Sequence, residues 1–215
     1  MIKRGVNNLW SIPFHYSEIE NADNLNKELI KVIEKLDSTF NKKKSIQIAG
    51  LTKGLSTKWH SYNFLDIENK FIAILKKIIK REVATYLKKL NHKNSSLLYQ
   101  SWANRLQDGA VLKRHSHTGP YSYVSGVYFV KTKKTSTIFH LPLDTRIPGV
   151  EDFCDSKIEI TNREGGLVIF PSFIEHNSTP TIKNEERITI AFDILFTPPK
   201  DKFHNNFGEI AISIF

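Results

Sequence analysis

The spacing of apolar residues follows one period in the first hundred positions and another in the rest. Residues 22–39, "ADNLNKELIKVIEKLDST", set Leu25, Leu29, Ile30, Val32, Ile33 and Leu36 on a helical stripe, with Asn21 or Asp23 as candidate caps. Residues 66–90, "DIENKFIAILKKIIKREVATYLKKL", repeat the stripe, with Asp66 near its start and Asn91 just past its end. Between them, residues 48–66 read as a polar loop holding Trp59 and Tyr62. From residue 97 the period becomes two. Residues 97–107, 123–132, 136–143, 157–161, 165–172 and 187–196 are short apolar or alternating runs separated by Gly, Pro, Asn and Asp, the pattern of strands in a sandwich or barrel. The expected fold is mainly β with flanking helices, an α+β chain whose N-terminal helices pack on one outer face of the β core. One domain over residues 1–215 accommodates this: a mainly helical layer over 1–96, the β core over 97–198 and a C-terminal extension over 199–215.

Composition narrows the chemistry. Cys154 is the sole cysteine, which excludes an internal disulfide and any Cys-based metal finger, so a metal site would use His and carboxylates. The first residues lack the apolar stretch of a signal peptide and no run is long enough to span a membrane, so the expected location is cytoplasmic. The net charge of +9 is uneven: residues 1–100 hold 18 Lys and Arg against 9 Asp and Glu, while residues 101–215 hold 13 of each. The excess gathers in 76–93, where lysines alternate with apolar residues as the wet face of a helix. No named nucleic-acid signature accompanies it, and a nucleic-acid partner is not expected.

The neutral half carries the candidate chemistry. His115 and His117 stand two apart in "RHSH", so in an extended chain both imidazoles point the same way. Such a pair arises by chance among eight histidines, and two surface imidazoles would read the same. His176 follows the apolar run "GGLVIFPS", in a loop where a jelly-roll barrel would open its mouth; a lone surface histidine is the plainer alternative. Arg187 opens the next apolar run with Thr189 on its face. An inward guanidinium needs an anion, and its planar fork suits a carboxylate, unless it pairs outward with Glu185 or Glu186.

In order and spacing these pieces resemble the iron(II)/2-oxoglutarate-dependent oxygenases, and within them the prolyl-4-hydroxylase-like branch. The segments that carry the resemblance are "SWAN" (101–104), "HSH" (115–117), "SGVYFV" (125–130), "FPSFIEH" (170–176) and "RIT" (187–189), within a span of about 45–196. The resemblance implies a double-stranded β-helix of jelly-roll or cupin-like type, Fe(II) as the metal, 2-oxoglutarate as co-substrate and O2 as oxidant. It places His115 and His176 at the two imidazole ligands and His117 where most relatives carry a carboxylate. His117 then either completes a three-histidine face or stays off the metal and orients substrate or water. Arg187 would hold the far carboxylate of 2-oxoglutarate with help from Thr189, Tyr128 or Ser125, and Asn104 could reach its other carboxylate. No catalytic residue is implied beyond the metal centre.

The activity implied is a dioxygenase, in the usual case a hydroxylase releasing succinate and CO2. Two rivals read the same residues differently: a cupin-like three-His dioxygenase needing no keto acid, and a basic, non-enzymatic binding module. His140 could substitute for His117 as a ligand but reads more simply as a packed strand residue. His15, His60, His92 and His204 fall in loops or outer helices, and Tyr121 and Tyr123 read as core or rim aromatics. The substrate, a small molecule or a peptide, is not legible because its selecting residues would lie in loops such as 48–65 and 141–156. Homodimerisation stays open.

Overall fold

Alternation along the strands decides which side chains reach the interior, so the strands come first. The computed structural model describes residues 12–37, 54–57, 63–92, 97–118, 122–142, 157–196 and 213–214. In chain order the elements are β1 (His15–Glu18), α1 (Asp23–Asp37), β2 (Gly54–Ser56), a 3-10 turn (Phe64–Asp66), α2 (Lys70–Lys89), β3 (Leu97–Gln107), β4 (Ser122–Lys131), β5 (Ser136–His140), β6 (Lys157–Thr161), β7 (Gly166–Pro171), β8 (Glu175–Ser178), β9 (Glu186–Phe196) and β10 (Ser213–Ile214). All pairings are antiparallel. The larger sheet runs β1-β7-β4-β9-β3-β10, with β2 also paired to β3, and a smaller sheet runs β6-β5-β8. These two antiparallel sheets form a double-stranded β-helix core.

Each face of the larger sheet has its own task. Along β9, Ile188, Ile190, Phe192 and Ile194 enter an apolar cluster with Leu29 and Ile33 of α1 and Leu75 and Ile79 of α2. The intervening Arg187, Thr189 and Ala191 line a cavity on the other side. β7 divides the same way, Leu167 and Ile169 toward the helices, Val168 and Phe170 toward the smaller sheet. Both helices therefore cover one outer face. The exposed side of α2 carries Lys77, Lys80, Lys88 and Lys89, a solvated face as its sequence pattern predicts.

Local signals set the helix ends. The Asn69 side chain accepts from the Phe71 and Ile72 amides at 2.8 and 3.3 Å and caps α2, so the helix starts four residues after Asp66. Asn91 at φ 54° ends it in the left-handed region. Gly165, at φ 85°, makes the turn into β7; a Cβ there would meet Ala22 Cβ at 2.8 Å, so the turn and the start of α1 close together only around glycine.

Four short strands escape the sequence reading. His15, expected in a loop or outer helix, begins β1, pairs with Ile169 and donates from Nε2 to Glu82 Oε2 of α2 at 3.0 Å. β2 lies in the stretch read as loop, and β8 and β10 were also unexpected. Trp59, His60, Tyr62, Tyr121, Cys154, His204 and most of the segment 141–156 lie outside the described residues. No helix among the described residues is long and apolar enough to cross a membrane.

Candidate metal centre

Three histidines meet because residues 110–117 run alongside β8. The Ser178 amide donates to Leu112 O at 3.1 Å, and Thr181 N donates to Ala110 O at 3.0 Å. His115 and His176 then form a bridge, each amide donating to the other's carbonyl at 3.0 and 2.8 Å. His117 N donates to Ser172 O at 2.9 Å, which places its ring beside the pair. Backbone pairing thus brings all three side chains together. Ring centroids lie 5.1 Å (His115–His117), 4.5 Å (His115–His176) and 5.1 Å (His117–His176) apart, and one nitrogen from each lies within 4.8 Å of the others.

Every ring turns its Nδ1 away from the common centre toward an oxygen. His115 Nδ1 faces Lys113 O at 2.6 Å, His176 Nδ1 faces Ile174 O at 3.2 Å, and His117 Nδ1 faces Asp193 Oδ1 at 2.6 Å. A carbonyl or carboxylate oxygen accepts, so Nδ1 carries a proton, and the neutral tautomer of each ring is then the one that offers Nε2 to a metal. His115 Nε2 and His117 Nε2 stand 3.2 Å apart, a spacing that suits two lone pairs sharing one cation. Burial, followed by the neighbouring His117 and His115, holds the His176 imidazole well below the usual histidine range, which keeps it neutral and able to bind a metal.

Deeper in the cavity sits Arg187, 2 % exposed. Its Nη2 donates to Thr137 Oγ1 at 3.4 Å, while Nε and Nη1 have no hydrogen-bond partner. Burial pushes this guanidinium down to about 10, with Glu185 acting the other way, so it is still a cation at neutral pH. The surface pairing with Glu185 or Glu186 does not form: Glu185 accepts from the backbone amides of Lys134, Lys133, Thr135 and Ile182, and Glu186 pairs with Lys131 and Arg105. The cavity, about 280 Å³, joins Arg187 to the three histidines and is also lined by Asn104, Thr189 and Trp102. Asn104 lies opposite Thr189 in the β3–β9 register, so both reach it from adjoining strands.

One residue expected beside the co-substrate lies on the other face of the sheet. Tyr128 does not face the cavity: it is fully buried on the helix side of β4, and its hydroxyl donates to Asn26 Oδ1 of α1 at 2.6 Å. The reason is alternation, since Tyr128 shares its face with Val124 and Val130. Ser125 is on the inner face and bonds to Asp193 and Ser172. His140 belongs to β5 and hydrogen-bonds through Nε2 to Asn177 Oδ1 at 2.6 Å, as a packed strand histidine would. The sequence reading missed Asp193. Its signal was an acid in the otherwise apolar "AFDILF", three alternations along the strand from Arg187 and on the same face.

The barrel turns three imidazoles and a buried cation into one cavity, a lining suited to a metal ion beside an anion. Residues 100–193 match the family described as "Putative 2OG-Fe(II) oxygenase". These enzymes use Fe(II), 2-oxoglutarate and O2. No curated protein matches in sequence. Solved structures share the fold at low identity. A prolyl-4-hydroxylase from Pseudomonas putida is 12% identical at a TM-score of 0.62, over 87% of this chain and 95% of its own. A Trichoplax adhaerens prolyl hydroxylase, solved with a hypoxia inducible factor peptide fragment, is 10% identical at 0.61 over 85% and 83%. HygX from Streptomyces hygroscopicus, solved with nickel and 2-oxoglutarate, is 13% identical at 0.58 over 86% and 83%.

The residues present fit the family's cofactors. Three imidazole nitrogens within 4.8 Å of one another make a donor set suited to a divalent transition metal. The orphaned Nε and Nη1 of Arg187 leave buried N–H donors that an anionic ligand in the cavity can satisfy.

Proposed function

We propose that the chain hydroxylates a small molecule or a peptide side chain, with His115, His117 and His176 holding Fe(II) and Arg187 holding the far carboxylate of 2-oxoglutarate. The observation that carries this is the pair of unpartnered guanidinium nitrogens of Arg187, Nε and Nη1, on the wall of the same cavity that the three imidazoles line. A buried cation without an anion is costly, and a dicarboxylate keto acid supplies that anion. A three-His dioxygenase without a keto acid gives Arg187 no task, and a basic binding module gives none to the histidines.

When bound, Fe(II), 2-oxoglutarate and O2 supply the oxidation: the keto acid becomes succinate and CO2, one oxygen atom entering succinate and the other the substrate C–H bond. The chain's own residues position and shield. His115, His117 and His176 would hold the ion and would leave it able to take up keto acid and oxygen. Arg187 and Thr189 orient the co-substrate, and Asn104 can donate to its nearer carboxylate. Trp102, 4 % exposed and 5.4 Å from His117 between ring centroids, covers that ring and excludes water. In this reading helical layer and barrel work as one domain. The peptide in the Trichoplax structure and the prolyl-4-hydroxylase activity named for the Pseudomonas protein support the substrate class.

Anaerobic addition of Fe(II) and 2-oxoglutarate tests it through the visible charge-transfer band of the chelated keto acid. The wild type should show the band; His115→Ala, His117→Ala and His176→Ala should each lose it. No band in the wild type would refute the reading. Retention in His117→Ala alone would move His117 off the metal.

A further inference from the structure

Asp193 is an ionisable side chain at the centre of the barrel that the family's chemistry does not use. It is 1 % exposed, on the inner face of β9. Three donors converge on it: His117 Nδ1 and Ser125 Oγ reach Oδ1 at 2.6 and 2.7 Å, and Gln100 Nε2 reaches Oδ2 at 2.8 Å. In each of these three contacts the carboxylate accepts, as its ionised form does. Beyond Ser125, Ser172 continues the chain, bonded to Ser125 at 2.9 Å and to Ser122 at 3.0 Å, and its carbonyl accepts from the His117 amide. The His117 ring is therefore gripped at Nδ1 and at its backbone by one connected network.

We propose that Asp193 is a positioning residue for His117: it holds the proton on Nδ1, fixes the ring with Nε2 toward the ion, and strengthens that nitrogen as a donor to the metal. The inference rests on the three-histidine reading of the site. It follows from a specific asymmetry. His115 and His176 give Nδ1 to neutral carbonyls, whereas His117 alone gives it to a carboxylate, at 2.6 Å and out of solvent. A carboxylate behind a ligating imidazole sets tautomer and orientation and raises basicity more than a carbonyl does. His117 occupies the position where most relatives place an acid directly on the metal, so here the negative charge sits one residue further out, with the imidazole between.

The test measures Co(II) affinity of metal-free protein, without turnover, in the wild type, Asp193→Asn, His117→Ala and the double variant. Asn offers its amide N–H2 where Gln100 or His117 must donate, so it breaks the acceptor-only pattern while keeping shape. Asp193→Asn should lose about 10–100-fold in affinity. In the His117→Ala background the same change should cost no more than about twofold, because its effect passes through that ring. Wild-type affinity in Asp193→Asn overturns the proposal, and so does an equal loss in both backgrounds, which would mark a structural role. Should Asp193→Asn not fold, the wild-type imidazole 15N spectrum of the metal-free protein decides: a proton on His117 Nδ1 supports the proposal, and a bare Nδ1 overturns it. A wild type that takes up no Co(II) refutes the three-histidine reading itself, which separates that failure from a failure of the role of Asp193.

Discussion

The two faces of the larger sheet are built from alternate residues of the same strands and are under opposite demands. On the helix side, Ile188, Ile190, Phe192 and Ile194 pack against α1 and α2 with no polar group to satisfy among them. On the inner side, Arg187, Thr189 and Asp193 share space with Trp102, Val127 and Phe170. Apolar burial contributes roughly 25 cal/mol per Å², and the helix face collects it fully. The inner face gives up part of that to keep a cation and an acid out of water. Asp193 has partners within the protein; Arg187 keeps two nitrogens for something else. Stability and ligand binding thus separate by the parity of residue number along β9.

The largest expected effect breaks that separation at Arg187. Arg187→Met keeps volume and removes the orphaned charge. Since an apolar replacement of a poorly compensated buried charge is often stabilising by about 1–4 kcal/mol, the ligand-free variant should unfold at higher denaturant than the wild type. Its affinity for 2-oxoglutarate should fall by about 2–5 kcal/mol, roughly thirtyfold or more, read by calorimetry on the metal-loaded protein. A variant that loses stability and affinity together would mean that Arg187 holds the barrel. Leu75→Ala, fully buried on α2, should do the reverse. It should cost about 2–5 kcal/mol in urea unfolding, while the folded fraction keeps wild-type affinity for 2-oxoglutarate.

The same parity explains what the sequence could and could not disclose. The pieces of the site that are close in sequence, His115 with His117 and Arg187 with Thr189, were readable because residues two apart on an extended chain share a face. So were both helices, whose stripes need no partner to be seen, and six of the long strands. Tyr128 was misplaced for the complementary reason. In "YVSGVYFVKT" both faces are buried, so nothing in the run marks which parity meets helices and which meets cavity; the contact with Asn26 settles it only in three dimensions. Asp193 went unread because an apolar run absorbed it, although an acid at that spot is costly without partners and was therefore a clue. β1, β2, β8 and β10, at two to four residues each, carry no period of their own and exist because a neighbouring edge offers hydrogen bonds.

The smallest expected effect sharpens the comparison at its most ambiguous residue. Tyr128 lies two positions before Val130 and four after Val124, on the helix face, yet its hydroxyl makes it look like a co-substrate ligand in the sequence. Its partner Asn26 already has a buried Nδ2 with no acceptor, so Tyr128→Phe strands the second end of that amide as well. The cost should be about 1–3 kcal/mol in thermal or urea unfolding, the penalty of an unsatisfied buried group. Adding Asn26→Leu should recover most of it, because removing both partners of a buried hydrogen bond is close to neutral when shape is kept. Through both changes the affinity for 2-oxoglutarate should stay within about twofold of wild type, as for sites on opposite faces with no shared partner. A clear loss of co-substrate binding in Tyr128→Phe would show that the sheet transmits what the alternation of its side chains keeps apart, and the two faces would have to be treated as one coupled unit.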